Sequence, residues 1–245
     1  MTTPAEHRQL PAWWNYGIER ATFKQPQKRR YPFSLSILLS LRRNNMAAEN
    51  AAPQGLTLWL VPSPSDSERL KKIMTPRTKS DLISDASYPQ FEPHITLASI
   101  PDSSLDAIVS SIPTTQPALP IAFDAIEVGD HYFRSVYIAV HLSEALVELH
   151  RHVHEKLGIT SPRTPKFPHV SLCYIADEDA TAGERDRYFQ QLQGSIRRNG
   201  TTVSLNCGEP GEADWVSSFE AREIWVTRCK GPVETWIVVK KIPLH

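Results

Sequence analysis

Two short stretches of the 245-residue chain repeat one pattern, Pro93-His94-Ile95-Thr96-Leu97 and Pro168-His169-Val170-Ser171-Leu172. Each reads proline, histidine, an apolar residue, a hydroxyl residue and leucine. On an extended strand, residues two apart point to the same face. His94 therefore projects with Thr96, and His169 with Ser171, while Ile95, Leu97, Val170 and Leu172 turn toward a core. If the two strands face each other, two imidazoles and two hydroxyls share one cleft. There, a neutral imidazole can take a proton from water while a protonated one gives a proton to a leaving oxygen. The hydroxyls can donate to the non-bridging oxygens of a phosphate, where charge accumulates. Such a set suits phosphodiester hydrolysis without a metal ion, and a strained cyclic diester makes the fewest demands on it. A single His-x-Thr would be read as a structural histidine; two copies in matching contexts are read as a site.

The flanking elements must bring these strands together. Residues 56–61 form a short strand, 67–73 a helix, and 91–98 an alternating strand carrying the first motif. Asp102 or Ser103 caps a helix bearing Leu105, Ile108, Val109 and Ile112. Residues 121–128 and 132–140 pair as strands, joined through Gly129-Asp130. Ser143 starts the clearest helix, with Leu146, Leu149, Val153 and Leu157 at spacings of three and four and Gly158 as its stop. Residues 167–175 are the strand of the second motif, 183–198 a helix, and 221–227 and 235–242 two closing strands. No series of βαβ units with glycine-rich turns is present, so the pattern is α+β. Each motif strand is followed by a helix, which suggests two similar lobes.

Other residues compete for a chemical role. His150 and His154 stand one turn apart on a helix, a spacing that can bind zinc. The zinc-protease pattern His-Glu-x-x-His is absent, however, and a solvated or half-buried helix face is the simpler reading. His131 and His141 lack partners at a defined spacing. Cys173 shares strand parity with His169 and Ser171, placing it near the cleft or as a small packing residue. Trp59 and Tyr174 could stack on a base, although a first-strand tryptophan is usually core.

At the two histidine motifs the sequence resembles the 2H phosphoesterase superfamily, named for its paired H-x-[S/T] motifs. More narrowly it resembles the cyclic nucleotide phosphodiesterases of fungi and plants. The resemblance runs over residues 56–244. It includes Leu58-Trp59-Leu60, Phe91-Glu92-Pro93-His94-Ile95-Thr96, Val128-Gly129-Asp130-His131-Tyr132-Phe133 with Val136-Tyr137-Ile138, and Pro168 to Tyr174. Gly231-Pro232-Val233 and Trp236 complete it. The resemblance implies a bilobal α+β fold, two antiparallel sheets with outer helices around a central cleft. It implies hydrolysis of 2′,3′-cyclic nucleotide phosphates, or of ADP-ribose 1″,2″-cyclic phosphate, with no cofactor and no metal. His94 and His169 carry over as general acid and general base, with Thr96, Ser171 and Tyr174 as substrate-binding residues. For Tyr174 strict alternation disagrees, since it sets this side chain on the face opposite His169. Two alternatives remain: an RNA-end-processing phosphodiesterase, and a module that binds a nucleotide phosphate without turnover.

Charge separates the chain into unlike parts. The 27 Lys+Arg balance the 27 Asp+Glu. Residues 1–45 nevertheless hold eight basic and two acidic side chains, while the remainder holds 19 basic and 25 acidic. An acidic domain without a basic stripe suits a small cyclic-phosphate nucleotide better than a tracked nucleic-acid strand. The expected organisation is a basic, disordered extension over residues 1–55 and a monomeric catalytic domain over residues 56–245. The longest apolar run, residues 33–41, is too short to span a bilayer. Three widely spaced cysteines point to a thiol-reducing, cytoplasmic interior. Any transit, Golgi or membrane address would fall to the extension.

Overall fold

Apolar residues alternate on both sides of each motif strand, and each finds an antiparallel partner through them. A computed structural model describes residues 55–76, 82–100, 104–160, 168–209 and 211–245. Of the expected extension only Gly55 falls within them. The elements in order are β1 (Gly55–Pro62), α1 (Pro64–Met74), β2 (Ile95–Ile100), α2 (Leu105–Ser110), β3 (Leu119–His131), β4 (Arg134–Val140) and α3 (Glu144–Lys156). They continue with β5 (His169–Cys173), α4 (Asp177–Thr181), α5 (Glu184–Leu192), β6 (Ile196–Asn199), β7 (Thr202–Asn206), β8 (Trp215–Val216), β9 (Ser218–Cys229) and β10 (Ile237–Pro243). The class is α+β. Among the described residues no helix is long and apolar enough to cross a membrane.

Seven strands form one sheet in the order β2-β1-β9-β3-β4-β5, with β10 paired to β9, and β6-β7-β8 form a second. All pairs are antiparallel. The long strand β3 joins the two halves of the large sheet, with residues 119–122 paired to β9 and residues 123–131 to β4. The two motif strands β2 and β5 stand at opposite ends of this order, yet they touch. The sheet is therefore curled enough to bring its ends together. Helix α1 touches β1 and β5, α3 touches β2, and α5 touches β3 and β4. Leu58, Leu60, Ile95, Leu97, Phe123, Ile138, Val170, Leu172 and Ile224 fill the core beneath them. Each such side chain, fully buried, contributes about 1.5–3 kcal/mol.

Local chemistry sets the helix starts. Ser63 Oγ accepts the Asp66 amide before α1, and Ser143 Oγ accepts the Leu146 amide before α3. Ser104 caps α2, through the Ala107 amide; the cap expected at Asp102 or Ser103 lies outside the described residues. Gly158 stands just beyond α3 with φ +66°, a left-handed conformation that costs glycine nothing.

Two sequence expectations are corrected. The helix expected over residues 183–198 stops at Leu192, and Ile196–Asn199 is strand β6, paired with β7. Asn199-Gly200 is a hairpin signal; Gly200 takes φ +60°, and Gly194 weakens the helix before it. The β3–β4 turn lies at Tyr132-Phe133 rather than at Gly129-Asp130, because His131 pairs with Arg134. Gly129 sits instead in an irregular stretch of β3, where a Cβ would collide with the Arg134 carbonyl. His131 serves this turn, its Nδ1 accepting the Phe133 amide at 3.2 Å.

Candidate active site

The two motifs are built alike. On β2 the pairing with β1 runs Leu58 with Ala98 and then Trp59 with Thr96, so Leu97 is an extra, bulged residue. On β5 the pairing with β4 runs Val136 with Cys173 and then Tyr137 with Ser171, so Leu172 is the extra residue. Each bulge falls on the leucine three residues after the histidine. A bulge shifts face parity by one, which corrects two expectations. Cys173 turns into the core, where it is buried, rather than sharing the face of Ser171. Tyr174, expected opposite His169, comes round to the cleft side. Its ring lies flat against Phe91, 4.0 Å between centroids and 3° between planes.

His94 lies one residue before β2 rather than within a strand. Its Nδ1 is 2.6 Å from the Glu92 carbonyl, which can only accept, so Nδ1 carries a proton. The neutral ring then keeps its lone pair on Nε2. Trp59 stacks on the imidazole face at 3.8 Å and 11°, and Phe91 meets its edge at 6.2 Å. His94 is only 6% exposed. Burial lowers its pKa to about 4, opposed by the Glu92 hydrogen bond and reinforced by the nearby charge of His169. The free protein thus holds His94 neutral at pH 7. The same coupling shows that the structure brings the two histidines within electrostatic reach.

Thr96 stands opposite Trp59 on the face His94 uses. His169 is half-buried and opens β5. Tyr137 presents its ring to it edge to face, 5.4 Å and 70°. Ser171 donates to the Phe133 carbonyl at 2.7 Å. Its proton is therefore engaged in the free protein.

Aromatic side chains, few of them singled out by the sequence for this purpose, form a collar beside His94. Phe91 meets Tyr174, Tyr174 meets Phe133 at 5.3 Å, Phe133 meets Trp236 at 5.8 Å, and Trp236 meets Trp59 at 5.9 Å. Trp59 belongs to a small cluster with Val61 and Cys229, not to the main core that a first-strand tryptophan suggested. Only motif-level resemblance pointed to Phe91, Phe133 and Trp236; their periodicity carries no such signal.

A polar clamp ties the segment before β2 to Tyr174 and to α5. Tyr88 is the only non-glycine described with positive φ, +60°, and it precedes a proline. Its amide donates to the Tyr174 carbonyl at 2.8 Å and its hydroxyl to Glu184 at 2.6 Å. The Glu184 side chain is fully buried and also takes the Arg187 guanidinium. Strain of this kind costs about 1–3 kcal/mol and persists where surroundings over-determine it.

The remaining candidates lie elsewhere. His150 and His154 are buried side by side on α3, 3.9 Å between rings, rather than on a solvated face. Burial lowers the pKa of both, that of His150 to about 4. His141 reaches the Thr201 carbonyl at 2.9 Å, tying the β6–β7 turn to the end of β4.

A curled antiparallel sheet whose two ends bring matched His-x-hydroxyl strands into contact is the arrangement of a 2H phosphoesterase. The chain belongs to the cyclic phosphodiesterase-like protein family, whose model matches residues 54–244. Membership carries a phosphoesterase class of hydrolase. Among curated proteins none matches the sequence. Similar solved structures include E. coli LigT complexed with 3′-AMP, at 14% identity and TM-score 0.46, covering 79% of this chain and 99% of that one. TT0787 of Thermus thermophilus is similar at 10% identity and TM-score 0.46, covering 77% and 97%. Kluyveromyces marxianus Usb1 is similar at 13% identity and TM-score 0.38, with the same coverage.

Proposed function

We propose that this protein hydrolyses 2′,3′-cyclic nucleotide phosphates to nucleoside 2′-phosphates, or ADP-ribose 1″,2″-cyclic phosphate to ADP-ribose 1″-phosphate, by acid–base catalysis without a metal ion. The observation that supports the reading is the contact between two His-x-hydroxyl strands, each bulged at the same place, with His94 and His169 within electrostatic reach. His169 takes a proton from water as the water oxygen attacks phosphorus. The bond from phosphorus to one ribose oxygen breaks, and His94 gives its Nε2 proton to that oxygen. The histidines finish with their protonation exchanged, and solvent restores them.

His94 acquires its proton with the substrate. Burial keeps it neutral in the free protein, and a phosphate anion beside Nε2 favours the imidazolium. Thr96 and Ser171 donate to the non-bridging oxygens, Ser171 by rotating its hydroxyl away from the Phe133 carbonyl. The aromatic collar provides flat apolar surface for a nucleobase.

The substrate class is tested by steady-state kinetics on 2′,3′-cyclic AMP, ADP-ribose 1″,2″-cyclic phosphate and an RNA oligonucleotide ending in a cyclic phosphate, with products assigned by phosphorus NMR. The expected result is turnover of the small substrates with kcat/KM at least about tenfold above that for the oligonucleotide. This is one decade, or about 1.4 kcal/mol of discrimination. A preference for the oligonucleotide would assign RNA-end processing instead. Binding of all three without turnover would reduce the protein to a nucleotide-phosphate-binding module.

A further inference from the structure

Glycine at 129 and tyrosine at 137 stand out in the sequence, and the reaction just described uses neither. Tyr137 lies on β4 directly opposite Ser171 of β5, as Trp59 lies on β1 directly opposite Thr96 of β2. In each half, the aromatic facing the hydroxyl residue contacts the histidine of the same motif. Trp59 does so face to face, and Tyr137 by edge contact. Tyr137 is 3% exposed, and on its other flank it pairs with Glu127 of β3. Its hydroxyl donates to the Glu127 carboxylate. A Cβ on Gly129 would stand 3.3 Å from Tyr137 Cε1, closer than ordinary contact, so glycine there makes room for the ring. The ring is thus confined by Gly129, tied at its hydroxyl by Glu127, and leaves its remaining edge contact to His169. Asp130 and Arg134 are further charged groups near its hydroxyl.

We infer that Tyr137, held by Glu127 and admitted by Gly129, is a positioning residue that fixes the imidazole of His169 for its part in catalysis. It touches neither substrate nor reacting atoms in this account. Its effect passes through the orientation of His169, and a ring displaced by about 1 Å can cost up to about a hundredfold in rate. The inference rests on the reading of His169 as a catalytic residue, so its test needs one readout that does not depend on turnover.

Three variants separate the parts: Tyr137→Leu removes the ring, Tyr137→Phe keeps the ring and removes the tie, and Glu127→Gln keeps an acceptor for the hydroxyl. Kinetics on 2′,3′-cyclic AMP should show kcat for Tyr137→Leu reduced about tenfold or more with KM within about twofold. Tyr137→Phe should restore most of that loss, with Glu127→Gln close to the unmodified protein. In parallel, the His169 ring protons, assigned by their absence in His169→Ala, are titrated by NMR. The Tyr137→Leu titration is expected to be displaced and its resonances broadened, with Tyr137→Phe between the two. An unchanged kcat, a loss confined to KM, or a His169 titration identical in all variants would overturn the inference. If Tyr137→Leu does not fold, Tyr137→Phe decides it: its His169 titration is expected to be displaced from that of the parent, and an identical titration overturns the inference. If the unmodified protein turns over no cyclic phosphate, the proposed function fails, while the titration still decides the positioning.

Discussion

Replacing His94 or His169 by alanine should lower kcat/KM for 2′,3′-cyclic AMP at least about a hundredfold in each case. A hundredfold is about 2.7 kcal/mol of transition-state stabilisation, the scale of a general acid or base removed. The two losses should not add. Once one partner of an acid–base pair is gone, the other has half a reaction to serve, so the double variant should lie close to the worse single one. Substitution at His94 carries a structural component too, because the imidazole is stacked on Trp59 and hydrogen-bonded to Glu92. His94→Asn keeps a polar side chain near the Glu92 carbonyl and separates chemistry from packing. If it folds as the parent does and still loses about a hundredfold, the loss is chemical. Full activity in either alanine variant would refute the assignment.

The second large effect falls on stability, at Glu184. Glu184 is fully buried and accepts from Tyr88 and Arg187. Glu184→Ala leaves the Tyr88 hydroxyl without this partner, whereas the half-exposed Arg187 can return to water. A hydrogen bond to a charged group contributes about 1.5–3 kcal/mol, and the cavity left by the side chain adds to the cost. A total near 3 kcal/mol corresponds to a drop in melting temperature of roughly 10 °C for a domain of this size. Glu184→Gln keeps an acceptor for Tyr88 and should lose less. Activity should fall as well, since the clamp holds the strained Tyr88, and Tyr88 holds Tyr174 through its amide. Differential scanning calorimetry and kcat on the same samples check both halves. A melting temperature within about 2 °C of the parent, less than 1 kcal/mol on that scale, would show that the clamp carries no weight.

The candidate site was legible in the sequence because its pattern repeats. Proline, histidine, apolar, hydroxyl and leucine recur with a strand signal around each copy, and residues two apart on a strand must share a face. Helix α3 was legible for a similar reason, since Ser143, the leucine spacing and Gly158 are all local. What alternation could not show is the pair of bulges. Leucine at 97 and at 172 is apolar whether it continues the ladder or stands outside it, so the parity shift leaves no trace in hydrophobicity. Yet that shift is what sends Cys173 into the core and brings Tyr174 to the cleft.

Other features needed tertiary context. Gly129-Asp130 has the composition of a turn, but the approach of the Arg134 carbonyl uses the glycine inside a strand. Asn199-Gly200 was a hairpin signal hidden behind a plausible helical spacing of Tyr188, Leu192 and Ile196. Trp59 reads as core from its strand, and only its register opposite Thr96 shows it lying on His94. Tyr137 reads as one more buried aromatic until its register opposite Ser171 is known.

The claim that matters most is that a single proton shared between two histidines, with no metal, performs the hydrolysis. The pH dependence of kcat/KM for 2′,3′-cyclic AMP in excess EDTA tests it directly, with intrinsic fluorescence confirming the fold at each pH. The free-enzyme profile should be a bell whose acidic limb lies near the pKa of about 4 that burial gives His94. Below it both histidines hold protons and no base remains; above the second limb neither holds one and no acid remains. The acidic limb of kcat should lie higher, because bound phosphate favours the His94 imidazolium. Loss of activity in EDTA, or a profile with one limb or none across the range in which the protein stays folded, would contradict the account.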